Sequence, residues 1–255
     1  MSSDNKSSGL RHVALIMDGN NRWAKQRGVP GPIGHKAGVE RVRDVLNTCT
    51  AAGVEVITVF AFSSENWQRP ALEVRALMAL FATYLKNEQK KLKAENISLR
   101  VIGDRSHFSA GLRKRIEAAE AFTAGGAVTL VIAADYGGRW DIAQAARKLA
   151  EACMRGDMQP ADITEASMNA VISLADFPPV DLLVRTGGDK RISNFLLWHA
   201  AYAELYFSDL FWPDFDEAAM KAAMVDFHGR QRRFGLSGDQ VSANQVLAGT
   251  NVHHA

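Results

Sequence analysis

An aspartate closes the first apolar run, HVALIMD, and is followed at once by Gly19, Asn20, Asn21 and Arg22. A carboxylate at the end of an expected strand, wrapped in a glycine-asparagine turn and cations, suits chemistry on a phosphorylated substrate. The turn leaves backbone N–H groups free to face phosphate oxygens, and Asp18 offers a hard oxygen to a cation bridging them. Helix capping is the alternative for an isolated strand-Asp-Gly, and it stays open for Asp18 alone. Arg22 and Trp23 directly afterwards, with a second arginine-bearing loop, favour the anion site.

Similar loops follow the other apolar runs. Ser63-Ser64-Glu65-Asn66-Trp67-Gln68-Arg69 follows the second, Gly103-Asp104-Arg105 the third, Tyr136-Gly137-Gly138-Arg139 the fourth, and the segment from Arg185 to Arg191 the fifth. Ligands of open α/β sheets bind beyond the carboxyl ends of the strands, so parallel strands would gather these loops on one rim, with Glu204 of a short sixth run included. Arg22, Arg69, Arg185 and Arg191 suit phosphate oxygens, whereas Asp18 and Glu204 suit a hard cation. The first strand is followed by neither G-x-x-x-x-G-K-[ST] nor G-x-G-x-x-G, which leaves nucleotide binding by those loops unsupported. No D-x-D pair stands at the end of this strand, since Asp18 is followed by Gly19 and Asn20, and a DDxxD cluster is absent from the sequence.

The elements that must hold these residues are legible as an alternation. Runs at HVALIMD, VEVITVFAF, ISLRVIGD, VTLVIAADY, VDLLVRTGG and ELYF are separated by segments of helical period. The helices are expected near 37–49, 72–92, 109–121, 141–154, 194–203 and 216–234. This pattern predicts a single-domain α/β fold, a mostly parallel six-stranded sheet covered by helices on both faces. Residues 1–10 read as a disordered leader, 11–235 as the domain and 236–255 as a flexible tail. With 47% hydrophobic residues the 255-residue chain has material for a large core, and a formal charge of +2 gives no support to nucleic-acid binding. No signal-peptide core or membrane-length apolar run occurs, so a cytoplasmic location is expected. Ala61, Phe62, Leu77, Met78, Phe81 and Leu85 fit either core packing or an apolar tunnel, and the sequence leaves both open.

Six blocks carry a resemblance: MDGNNRWAK, GHKAG at 34–38, FAFSSENWQRP at 60–70, YGGRWDI at 136–142, RTGGDKRISNFLLW at 185–198 and AYAELYFSDLFWPDF at 201–215. Together, over roughly 11–235, they resemble the cis-prenyltransferases. The resemblance implies Mg²⁺-dependent addition of isopentenyl diphosphate, in cis geometry, to farnesyl diphosphate, giving a fifty-five-carbon carrier precursor for cell-wall synthesis. It implies that Asp18 and Asn66 are catalytic, with Asp18 and Glu204 as magnesium ligands. Gly19, Asn20, Asn21 and Arg22, assisted by His35 and Arg69, would hold the allylic diphosphate. Arg185, Arg191 and Ser193 would hold isopentenyl diphosphate, and Trp23, Ser63, Ser64, Glu65, Trp67, Lys190 and Ile192 complete the implied substrate contacts. A small Ala61 implies a long product, and Arg232 to Gly235 resembles the tail of homodimeric members. The insoluble product suggests peripheral contact with the inner face of the membrane. Shorter-chain or branched synthesis, or an accessory subunit without catalysis, are the alternatives. Asn21 stands where glycine is frequent, Gly31 where many relatives have arginine, Asp135 in place of asparagine, and Asp189 in place of glutamate.

Overall fold

The apolar runs form strands because each pairs its backbone groups with a neighbour, and those in the middle of the sheet are largely buried on both faces. The computed structural model describes residues 9–230. Its strands are β1 (His12–Ile16), β2 (Val56–Ser63), β3 (Ile97–Ile102), β4 (Val128–Tyr136), β5 (Leu182–Arg185) and β6 (Glu204–Phe207). The helices are α1 (Asn20–Gln26), α2 (Gly31–Ala51), α3 (Ala71–Ala94), α4 (Ala110–Thr123), α5 (Gly138–Arg155), α6 (Glu165–Val171) and α7 (Glu217–Gly229). Among the described residues the six strands form one sheet, parallel throughout, in the order β3-β4-β2-β1-β5-β6. The expected tail, the Arg232–Gly235 segment and nearly all of the expected leader lie outside the described residues.

Alternation along each strand divides the core in two. Val13 and Leu15 of β1 join Ile57, Val59, Leu130 and Ile132 under α2, α3 and α4. Ala14 and Ile16 point the other way, to Val131, Ala133, Leu183, Phe195 and Leu196. The chain leaves β1 towards β2 on one side and returns to pair β5 on the other, so the sheet order reverses beside β1. The carboxyl ends of β1 and β5 therefore flank a crevice of the kind such sheets use for ligands.

Two expectations differ from the structure. The segment 194–203 is a series of turns instead of a helix. Ser193, Asn194 and Leu196 take left-handed backbone conformations with φ of 47°, 61° and 44°. Asn194 accepts from the free N–H groups that open α5, its carbonyl from Gly138 at 2.6 Å and its side-chain oxygen from Arg139 at 2.9 Å. A helix through Asn194 could not supply both acceptors. The short α6, capped by Thr164, was not anticipated because seven residues carry too little apolar period.

Candidate active site

Asp18 follows β1 at the crevice. Gly19 has φ 104°, and a Cβ there would lie 2.7 Å from the Phe211 ring and 3.0 Å from the Phe211 Cα, so both the turn and the packing require glycine. The chain then enters α1, with the Trp23 N–H donating to the Gly19 carbonyl at 2.8 Å. Asp18 Oδ1 accepts from Gly19 N at 2.6 Å and faces Arg22 Nη2 at 3.1 Å, while Oδ2 accepts from Arg185 Nη2 at 2.8 Å. Burial alone would raise the carboxyl's pKa, but the Arg185 hydrogen bond and the Arg22 charge outweigh it and hold Asp18 below the usual carboxylate value. Asp18 is thus an ionised, half-buried oxygen donor, and capping α1 is not its role, since no side-chain cap bond is made there.

A cavity of about 880 Å³ opens from this point. Its polar end is lined by Asp18, Asn20, Arg22, His35, Ser63, Glu65, Asn66, Arg69, Arg185, Arg191 and Ser193, so these sequence candidates come together. Arg185, only 4% exposed, donates to Ser193 Oγ and the Arg191 carbonyl at 2.6 Å each, which orients both loops. His35 is largely buried, and desolvation first, then the Arg69 charge, lowers its pKa, so near neutrality it is an uncharged imidazole. Three buried polar atoms on lining residues find no protein partner: Asn20 Oδ1, His35 Nε2 and Arg185 Nε. Buried polar groups are normally paired, so unpaired ones around a cavity point to a polar ligand.

Other candidates lie beside the cavity. Gly19, Asn21, Trp23, Ser64, Trp67, Lys190 and Ile192 do not line it. Trp23 donates to Asp214 Oδ1 at 2.8 Å, fixing α1 against the segment after β6. Trp67 packs edge-on against Phe62, and Ile192 packs against the second core. Asn21 Nδ2 bonds Glu73, which also pairs with Arg69 at 3.1 Å. Glu204 is a correction to the expected rim. It begins β6 in register with Leu182, while Asp18 lies two residues beyond Ile16, the partner of Arg185. At ~3.3 Å per residue, five residues of rise separate them along the strand direction, roughly 16 Å. Glu204 instead pairs with Arg230 at 2.9 Å. Placing it near the start of its run put it, in a parallel sheet, at the opposite end from the other loops.

Away from the charges the cavity becomes apolar, between Val39 and Val42 of α2 and Leu77, Met78, Leu80, Phe81 and Tyr84 of α3. Leu85, expected on this stripe, is in the core instead. Ala61 reaches the cavity through a β-bulge: Phe60 pairs with Ala133 and Phe62 with Ala134, leaving Ala61 as the extra residue. Below Val42 and Tyr84, Arg43 clasps α3 by bonds to Glu88 and, at 2.8 and 2.7 Å, to Glu95.

Sequence reasoning named no role for Asp189 or Asn194. Asp189 meets three of the arginines, and Asn194 ties α5 to Glu65 with a 2.8 Å bond. Both stood inside a quoted block, and the left-handed backbone that positions Asn194 left no periodic signal.

A family model described as putative undecaprenyl diphosphate synthase matches residues 16–235. The chain is 59% identical over 238 residues to the ditrans,polycis-undecaprenyl-diphosphate synthase, (2E,6E)-farnesyl-diphosphate specific, of Pseudomonas putida, covering 93% of this chain and 95% of that protein. The enzyme of the same description from Escherichia coli is 54% identical, with 89% and 90% covered. Among solved structures, lavandulyl diphosphate synthase from Lavandula x intermedia, in complex with dimethylallyl diphosphate, superposes with a TM-score of 0.86 at 36% identity, over 88% of this chain and 98% of that one. A probable undecaprenyl diphosphate synthase from Campylobacter jejuni gives 0.75 at 31%, over 89% and 98%. A match over this much of the chain, at these identities and on the same fold, means that the chain belongs to the cis-prenyltransferase family.

Proposed function

We propose that this enzyme condenses isopentenyl diphosphate repeatedly, in cis geometry, onto farnesyl diphosphate to give the undecaprenyl chain. The observation that carries the reading is the single cavity with a carboxylate and arginines at one end and an apolar trough at the other. A diphosphate ester of a hydrocarbon needs both. The identity to relatives described as farnesyl-diphosphate specific supports the same substrate here.

The chain's own groups fit the steps. The allylic C–O bond breaks with its electron pair leaving on the diphosphate, the alkene of isopentenyl diphosphate forms the new C–C bond, and a proton is then lost. Arg22, neutral His35 and the free N–H groups opening α1 would stabilise the charge growing on the leaving group. Arg185, Arg191 and Ser193 would orient the second diphosphate. Asn66 fits a positioning role: its Oδ1 accepts from Ser63 N at 3.0 Å, which leaves its amide N–H groups to donate, and a neutral amide is a poor base. A phosphate oxygen is the stronger candidate for the proton.

Magnesium fits this donor set. Mg²⁺ typically takes one or two carboxylates and completes its shell with substrate phosphates and water, and Asp18 is an ionised oxygen at the phosphate end. Bound there, it would neutralise charge on the departing diphosphate. Among the described residues no group of three or more His, Cys, Asp or Glu side chains could hold a metal. Glu204, at the far end of its strand and paired with Arg230, lies too far away to share that ion with Asp18 of the same chain.

A homodimer is proposed with β6 at the interface: it is one of the sheet's two outer strands, and Tyr202, Leu210 and Val225 leave large apolar side chains exposed nearby. No helix among the described residues is long and apolar enough to cross a membrane, and release of a polyprenyl product motivates peripheral membrane contact. A second reading, branched or short-chain synthesis, is favoured by the likeness to lavandulyl diphosphate synthase. The test is product analysis with radiolabelled isopentenyl and dimethylallyl diphosphates, with and without farnesyl diphosphate and with and without Mg²⁺. Long cis products that require Mg²⁺ support the proposal; five-carbon coupling products support the second reading, and no elongation overturns both.

A further inference from the structure

Asp189 spends one carboxylate on three arginines of the cavity. Its Oδ1 and Oδ2 each lie 3.0 Å from a terminal nitrogen of Arg191, a two-pronged contact. Oδ2 also lies 3.4 Å from Arg22 Nη2 and 3.5 Å from Arg185 Nη2. Arg22 and Arg185 have closer bonds to Asp18, at 3.1 and 2.8 Å, so the ion pair that Asp189 dominates is the one to Arg191.

A guanidinium presents the same fork to a carboxylate and to a phosphate. Asp189 therefore occupies donors that an incoming diphosphate would use. With both aspartates in place, three cations face two anions. A multiply charged headgroup gains more from the arginines if Asp189 withdraws than if it stays, since a third anion packed beside two carboxylates is repelled. The geometry permits withdrawal. Gly187 and Gly188, with φ of 89° and 81°, immediately precede Asp189 and are pinned by hydrogen bonds to Leu210 and Ser208 at 2.7 and 2.9 Å. A Cβ at Gly187 would sit 2.7 Å from Arg22 Nη2, so this turn brings the backbone against the arginine. Asp189 leaves that pinned turn with its side chain 30% exposed, free to swing to solvent without disturbing β5.

We infer that Asp189 is an internal placeholder for a diphosphate. It holds the arginines convergent in the free enzyme, is displaced from Arg191 when the isopentenyl diphosphate headgroup binds, and so weakens that binding and hastens release. The inference rests on the proposed assignment of this cavity to diphosphate esters. A purely structural Asp189 predicts the opposite sign, because its loss would let Arg191 wander and binding would weaken.

The experiment is titration calorimetry of the full chain with isopentenyl diphosphate, with chelator present and allylic substrate absent. Asp189→Asn and Asp189→Ala should bind more tightly than the wild type by roughly 3- to 30-fold, the factor by which removing a competing state raises the binding-competent fraction. Asp189→Glu, which keeps the carboxylate, should stay near the wild type, and it serves as the folded reference if the smaller variants are unstable by thermal melting. In that case Asp189→Gln and Asp189→Ser, which also remove the charge, carry the test: binding at least threefold tighter than the wild type and Asp189→Glu supports the placeholder, and equal or weaker binding overturns it. Unchanged or weaker binding in folded Asp189→Asn and Asp189→Ala overturns the inference while leaving the proposed function intact. No binding by any form, wild type included, overturns the assignment of the cavity itself, and the placeholder with it.

Discussion

At the carboxyl ends of β1 and β5, Asp18, Arg22, Arg185, Asp189 and Arg191 crowd within ion-pair distance, and buried polar atoms nearby lack protein partners. A few turns along α2 and α3 the same cavity is walled by Val39, Val42, Leu77, Met78 and Phe81. The first region holds charge in reserve for something that brings opposite charge. The second excludes water and recognises only shape. The contrast implies a division of labour in which the rim sets whether a bond forms and the trough sets how long the chain can grow.

The largest effect that would break this division is at Asp18. Asp18→Asn keeps an acceptor for buried Arg185 yet removes the charge, and turnover should fall about 10²- to 10⁴-fold in steady-state assays, as for loss of other preorganised electrostatic groups. The pH profile tests the same charge. Asp18 is held below its ordinary value, so its charge and the stability of its ion pairs are fully present above about pH 4 and are lost as pH falls through the lower folded value. Wild-type turnover should therefore show no Asp18-linked loss until below about pH 4; a loss already centred near pH 6 that disappears in Asp18→Asn would contradict it.

Next in size is Ala61→Phe, which places a ring in the trough at the bulge. Thin-layer separation of products should show chains several units shorter, with the first condensation little changed. Equal loss of the first step would mean that the two regions are not separable. Arg43→Met should act in the other direction by opening the α2–α3 clasp, giving longer or more heterogeneous products at a stability cost of about 1 kcal/mol. An unchanged distribution in a folded variant would remove the clasp from any account of length. The smallest effect is expected at Gly31→Ala. Its Cβ would sit 2.7 Å from Asn21 Oδ1, pushing that amide off Glu73, so the KM for farnesyl diphosphate should rise about fivefold, the worth of one hydrogen bond. A change in product length there would place Asn21 on the wrong side of the comparison.

The two regions were also unequally legible in the sequence. Strands buried on both faces announce themselves as apolar runs, and a parallel sheet brings whatever follows each run to one edge, so Asp18, Asn66, Arg69 and Arg185 could be gathered without coordinates. Glu204 could not, because it precedes its strand's last residues instead of following them, and direction along the strand is what decides the edge. The stripe Leu77, Met78, Phe81 and Leu85 has one helical period for two purposes. Only packing separates Leu85, in the core, from its neighbours, which face the cavity. Ala61 enters through a bulge, and Asn194 works from a left-handed turn; neither geometry has a period to read.

The account's central claim is that both ends of one substrate lie in one cavity. A structure of the Mg²⁺ complex with a non-reactive farnesyl thiodiphosphate tests it most directly. The predicted result is a headgroup over the turn from Asp18 to Arg22 with its hydrocarbon running between α2 and α3 towards Phe81 and Tyr84. A headgroup bound at another edge of the sheet, or a hydrocarbon tail lying outside the trough, would contradict it.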